Sequence, residues 1–403
     1  MSKKGYADMP LHYGKVPQWL ASRMSMLGGA IVEAIVMEYG RGMLLRKISD
    51  PFWFQSLGCV LGMDWHSSGI TTSVMGALKH SVNKKADTLG VYICGGRGRY
   101  SRETPKELTD IGYKTGIDAQ RMIYNSRLSA KVDNTAIQDG FNLYLHSFIV
   151  TTDNEWCVIQ QGMNTDTRVA RRYHWHSPAV HSFTEQPHSF IYGKNQGEIL
   201  NLTDKSAAIT KQGILQLTKE DPKYLLAEIP ALIMPSHHDV REKDVNIKRL
   251  GAALALAQEK GVNDMESLLL LEGVGPRTIQ SLALVSEVIH GTPSRFKDPA
   301  RFSFAHGGKD GHPFPVPEKV YDETIAVLQK SIEKAKLGNT DKTEALMKLH
   351  VTAKNIEKDF TPNNRFDELI KEERDNSWKY GGRTVYGRAV KPESTVKQLN
   401  LFS

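Results

Sequence analysis

The stretch Leu271-Glu272-Gly273-Val274-Gly275-Pro276-Arg277-Thr278 decides how the second half of the chain is organised. Helix-forming runs flank it, residues 265–270 before and 278–285 after. A helix, a tight glycine turn and a second helix are therefore expected. Gly273 and Gly275 supply the positive φ and close backbone approach that such a turn uses. The second helix begins with free backbone N–H groups and the positive end of its dipole outward, where a phosphate fits without any base being read. An ordinary helical hairpin with a glycine turn is the plainer alternative.

The Leu-x-Gly-Val-Gly-x-x-Thr core resembles the helix-hairpin-helix motif of DNA repair and recombination proteins, over about thirty residues. The resemblance implies that Gly273, Val274, Gly275, Arg277 and Thr278 meet a DNA backbone. A second likeness follows it in the chain. In the helix-hairpin-helix DNA glycosylases, a Gly/Pro-rich loop after the second helix delivers a catalytic aspartate. Gly291, Pro293 and Asp298 resemble that loop. The implied chemistry is glycosidic cleavage, with a carboxylate stabilising an oxocarbenium-like sugar. Arg277 stands where bifunctional members carry lysine, and arginine forms no Schiff base, so the single-function type is implied. A loop aspartate capping a turn before Pro299 is the structural alternative. Asp310, in the glycine-rich run His306-Gly307-Gly308-Lys309-Asp310-Gly311-His312, is the rival acid.

A chain of 403 residues with net charge +7 implies two or three domains and suits a polyanionic partner. Its three cysteines, Cys59, Cys94 and Cys157, are widely separated. They point to a reducing cytoplasm and away from a structural zinc site. With no signal peptide and no long uncharged apolar run, secretion and membrane spanning are not expected. A cytoplasmic, nucleoid-associated protein is the expectation.

Towards the N-terminus, Leu20, Met24, Leu27, Ile31 and Ile35 recur at helical spacing over residues 17–38. Asp64 and His66 lie two apart, beside Trp65 and near hydroxyls, as a pocket or a polar turn would have them. A short apolar run over 89–94 leads into Gly95-Gly96-Arg97-Gly98-Arg99, where glycines and arginines can cradle phosphate or simply form a basic loop. Residues 141–150 and 156–161 read as paired strands joined by Thr152-Asp153-Asn154. Asp139 stands before them. With Asp64 and His66 it would form the site of a metal-dependent nuclease holding a divalent cation, although the acidic-x-Lys pattern common to such enzymes is missing. Arg171 and Arg172, among Tyr173, His174, Trp175 and His176, give basic and aromatic interleaving suited to nucleic acid.

The C-terminus ends Gln398-Leu399-Asn400-Leu401-Phe402-Ser403. This resembles the sliding-clamp-binding pentapeptide of bacterial polymerases and repair proteins. Leu399, Leu401 and Phe402 would enter an apolar pocket while Gln398 sets register. The whole chain also resembles an archaeal and bacterial family catalogued only as a domain of unknown function. That likeness is carried by Ser49-Asp50-Pro51-Phe52-Trp53-Phe54-Gln55, Asp64-Trp65-His66-Ser67-Ser68-Gly69, Gln160-Gln161-Gly162-Met163-Asn164 and residues 298–311, and it implies no established activity.

The expected fold class is α+β: a mixed α/β domain over 1–215, a helical domain over 216–380 bearing the hairpin, and a tail from 381 to 403. The expected function is DNA binding in repair, with glycosylase-like base excision first. No cofactor is expected for that chemistry. A metal-dependent nuclease and a non-catalytic adaptor recruited by the clamp are the alternatives.

Overall fold

The computed structural model describes residues 9–10, 16–63, 68–222, 247–300, 318–357, 383–384 and 387–388. The fold is α+β, as the sequence implies, and its centre is an antiparallel sheet. Strands β2 (Val91–Arg97), β4 (Asn142–Thr151), β5 (Trp156–Asn164) and β6 (Val169–His176) form its body, in the order β6-β5-β4-β2. Short strands β1 (Met9–Pro10) and β7 (Phe190–Tyr192) both pair with β6. A smaller sheet joins β3 (Ile137–Gln138), β8 (Glu198–Asn201) and β9 (Phe296–Lys297). The expected hairpin of β4 and β5 is present, with Asn154 at φ 59 in its turn.

Both faces of the main sheet are covered, which is less usual for an antiparallel sheet than one wet face. Alternation along the strands sorts the side chains. Ile93, Ile149 and Ile159 face one way, into a core with Ile31 and Ile35 of α1 (Gln18–Tyr39), Leu44 of α2 (Arg41–Ser49), Leu57 of α3 (Pro51–Val60) and Val74 of α4 (Gly69–Val82). Phe148, Val158 and Trp175 face the other way. After the short α5 (Ala86–Leu89), that second layer is built from α6 (Thr104–Thr115), α7 (Ala119–Lys131), α8 (Ala208–Leu217), α9 (Ile247–Glu259), α10 (Met265–Leu270) and α11 (Pro276–His290). The last two helices, α12 (Glu318–Lys334) and α13 (Asn339–Glu357), return to the first layer, where Leu328, Ile332, Ala345 and Leu349 are buried.

Two further features follow from the packing. The boundary near residue 215 runs through a continuous core, because Trp156 and Trp175 share one apolar cluster with Leu250, Leu268 and Ile279. Also, one helix among those described, α1, is long and apolar enough to cross a membrane, with mean hydropathy 1.4 and half of that window buried inside the fold. Arg23, Glu33 and Glu38 are its only charged residues.

Candidate nucleic-acid surface and the buried charge network

Asp264 caps α10 by accepting from the Ser267 N–H at 2.8 Å. The chain then turns through Leu271–Gly275 into α11. Gly273 has φ +80, which L side chains rarely adopt. Gly275 differs: its φ of −140 is open to any residue, and a Cβ there would meet nothing within 4 Å. No side chain caps α11, and Pro276 takes the first turn, where its missing N–H costs nothing. Gly273 and Arg277 are exposed, while Val274 and Thr278 are buried and anchor the turn.

The turn is braced from the sheet side. Lys131 Nζ donates to the Val274 carbonyl at 2.6 Å, and Gln138 Nε2 donates to the Pro276 carbonyl at 2.8 Å. Burial draws the Lys131 ammonium below its usual range. One turn before Lys131, Arg127 is exposed on the same face of α7, and Tyr124 above it donates to Glu266 of α10 at 2.8 Å. Lys131 and Arg277 thus flank one uncapped helix start, with Arg127 one turn away on the same face of α7. Sequence inspection passed over Arg127 and Lys131. The signal was there, in basic and aromatic residues at 124, 127 and 131, spaced as one helical face. Arg97 and Arg99 are exposed and lie over the rings of Tyr144 and Tyr100, at 5.9 and 5.3 Å.

Arg171 and Arg172 are a correction. Both were expected on a DNA-facing surface, and both are fully buried, on opposite faces of β6. Arg171 Nη1 reaches Asp139 at 2.7 Å and its Nη2 reaches Asp298 at 2.8 Å, while Phe141 lies under the guanidinium at 4.6 Å. Burial opposes the charge of Arg171, but the two carboxylates outweigh it and hold the group above its ordinary range. Arg172 has only neutral partners: His174 Nε2 at 2.8 Å, Gln55 Oε1 at 3.0 Å, Thr71 Oγ1 at 3.4 Å, and the rings of Phe54 and Tyr192. Burial pulls it down to about 10, still protonated at neutral pH. Desolvation and the Arg172 charge together push His174 far below its usual range, so its Nε2 stays an acceptor.

The expected acids are spent on the same network. Asp298 accepts from Arg171 and from the backbone N–H groups of Gln196 and Ala300, with its side chain wholly buried. The loop after α11 therefore carries Asp298 inward, between β8 and β6, and no face of the carboxylate is left for a substrate. Asp139 accepts from Arg171, from Tyr173 at 2.7 Å and from the Phe141 N–H. Burial raises its carboxyl above the ordinary range despite the nearby guanidinium. Three donors and full burial leave this carboxylate poorly placed to be a metal ligand. Among the described residues no group of three His, Cys, Asp or Glu side chains is placed to hold a metal ion. Asp64, His66 and Asp310 lie outside the described residues, as do Gln398, Leu399, Leu401 and Phe402.

A second buried chain of polar groups lies on the α7 side. Ser126 Oγ is 2.8 Å from His146 Nε2, and His146 Nδ1 is 3.0 Å from Gln160 Oε1. Gln160 Nε2 then donates to Asp133 at 2.5 Å, which also accepts from Trp175 Nε1 and meets His188 Nε2. Burial lowers His146, keeping it neutral. Since the Gln160 oxygen only accepts, Nδ1 carries the proton and Nε2 accepts from Ser126. This is the order of an activated nucleophile. Ser126 and His146 are nevertheless only 3% and 6% exposed, out of reach of a substrate. The network pins α7 and the π-helical turn Val132–Ala136 to the sheet.

Comparison with known proteins adds one assignment. A family model described as a protein of unknown function, DUF763, matches residues 5–316. The chain belongs to the DUF763 family. The match spans the sheet, both helical layers and the hairpin, and ends before α12. No curated protein and no solved structure matches the chain.

Proposed function

We propose that this protein binds duplex DNA in genome maintenance, holding a backbone phosphate at the start of α11. The observation that carries the reading is Gly275. Neither its φ nor any neighbour among the described residues calls for glycine, so the missing side chain leaves room for something outside to approach the uncapped N–H groups. Arg277 and Lys131 add cationic groups beside the same point, with Arg127 one turn away on α7. The geometry is that of backbone contact, which positions a duplex without reading its sequence.

The test is binding to a labelled duplex by fluorescence anisotropy across a salt series. Affinity should fall linearly in log–log form, and Arg277→Ala should lower the slope by about 1 while weakening all sequences alike. Binding that ignores salt, or is unchanged in Arg277→Ala, sinks the proposal.

Base excision remains the enzymatic form of this reading. It would have to use an acid other than Asp298, with Asp310 the sequence candidate. It predicts alkali-labile sites in a damaged duplex without added metal, and their loss in Asp310→Asn. The non-catalytic adaptor is favoured by one specific observation: Asp139 and Asp298 are both consumed by Arg171. An adaptor leaves a panel of damaged duplexes intact. Its recruitment would run through Gln398–Phe402, whose deletion should abolish clamp pull-down and spare DNA affinity.

A further inference from the structure

A groove of about 740 Å³ lies between α1 and α4. The two helices run the same way. Ser25 Oγ donates to the Ala77 carbonyl, a Cβ on Gly29 would strike Ser81 at 2.7 Å, and Lys85 pairs with Glu33 at 2.5 Å. Each step advances four residues on α1 and on α4 with the turn that follows it, so the contact line is continuous. Above it the walls are low: Ser22 and Met26 on α1, Ser73 and Gly76 on α4. Met26 is 49% exposed, large for a thioether side chain.

Gly76 is informative. It sits in mid-helix, where glycine weakens the structure. Gly28 and Gly29 on α1 have a reason, since a Cβ there would meet Leu78 at 2.9 Å and Ser81 at 2.7 Å. At Gly76 a Cβ would meet nothing within 4 Å. Packing among the described residues does not account for it, whereas the close approach of another backbone does.

Charge is confined to one end. The ionisable side chains lining the groove are Glu33, His80, Lys84, Lys85 and Lys336. Lys85 and Lys336 both reach Glu33, and Lys84 reaches His80 Nε2. Three ammonium groups against one carboxylate leave an excess of two positive charges there. From Gln18 to Glu33 the groove follows α1 for roughly 22 Å, about four helical turns.

We propose that this groove seats an acidic amphipathic helix of a partner protein. Its apolar stripe packs over Met26 and Gly76, and its acidic end meets Lys84 and Lys336. This is helix-in-groove recognition, with small residues allowing close backbone approach. A nucleic acid fits less well, because the cations stand at one end and not along the length. A second copy of this chain fits less well too, since its net charge of +7 opposes a basic groove.

The experiment uses the full-length protein and a fluorescein-labelled peptide of about 18 residues, with Leu and Ala at i, i+3, i+4 and i+7 and Glu elsewhere. A control peptide carries Lys in place of every Glu. The expected result is saturable micromolar binding of the Glu peptide, with the Lys peptide at least roughly tenfold weaker. Lys336→Glu should weaken the Glu peptide several-fold, and Gly76→Trp, which fills the groove, should abolish binding. Circular dichroism checks that Gly76→Trp is folded, and Ser73→Trp serves as a second filling variant. No saturable binding up to about millimolar peptide overturns the proposal. So does equal binding of the Lys peptide, or binding that survives both filling variants. Self-association of the wild type that Gly76→Trp removes assigns the groove to a second copy, and competition by duplex DNA assigns it to nucleic acid. Either result overturns it as well.

Discussion

Arg171 and Arg172 are neighbours in sequence and opposites in environment. Arg171 neutralises two buried carboxylates, and Arg172 touches none. Replacing Arg171 by Met leaves Asp139 and Asp298 facing each other unpaired, at a cost of about 3–5 kcal/mol. Replacing Arg172 by Met removes a desolvated charge that has no opposite partner, so the change in stability should lie near zero or be favourable. Urea midpoints of the two variants check the contrast, and equal losses would refute it. His174 and His146 make a pH prediction. Burial holds both below the ordinary histidine value, so the folded protein refuses protons that the unfolded chain accepts. Stability is therefore full above about pH 6.5 and falls as the pH drops, by up to about 1.4 kcal/mol per unit for each histidine. His174→Gln keeps an acceptor for Arg172 Nε and should flatten that slope in urea titrations between pH 7 and 5.

The glycines of the hairpin separate folding from binding. Gly273→Ala forces a side chain to φ +80 and should destabilise the protein by about 1 kcal/mol. Gly275→Ala is compatible with φ −140 and open space, so thermal stability should hold or rise slightly. On the proposed function, Gly275→Ala nonetheless weakens duplex binding, because the new methyl stands where the phosphate approaches. Unchanged affinity together with unchanged stability would remove the argument from Gly275. Arg127→Ala should act as Arg277→Ala does, lowering the salt slope by about 1, as anisotropy would show. At this scale the sequence was informative. Pro17 and Gly40 bound α1, the turn at Thr152-Asp153-Asn154 joins β4 and β5, and helices flank the glycine turn. Arg171 and Arg172 were misjudged because a strand buried on both faces carries no alternation of polar and apolar residues. Basic side chains on such a strand look the same in sequence as those on a surface strand.

Across the whole molecule, the two helical layers share one sheet. The cluster that holds Trp156 and Trp175 also holds Leu254, Leu268, Ile279 and Leu282, so residues 1–215 bury their second sheet face only in part by themselves. A fragment ending at 215 should expose that face and bind a hydrophobic dye, whereas the full chain should unfold in one calorimetric transition. Two separated transitions would support the division near residue 215 expected from sequence. Likewise α12 and α13 look like a solvated cover in sequence, yet they bury Leu328, Ile332, Ala345 and Leu349 against the N-terminal helices.

The amino-acid order by itself determined what is local: helix and strand positions, the glycine turn, the overall basic charge and the α+β class. These follow from backbone preference and side-chain periodicity within a few residues. The partnerships of Asp139 and Asp298 with Arg171, and the setting of Arg127 and Lys131 beside the hairpin, were decided only by the tertiary structure. Asp298 is 127 residues from Arg171, and Lys131 is 143 from Val274. Which charges meet at such separations depends on how the sheet and its two helical layers close, and no local pattern encodes that.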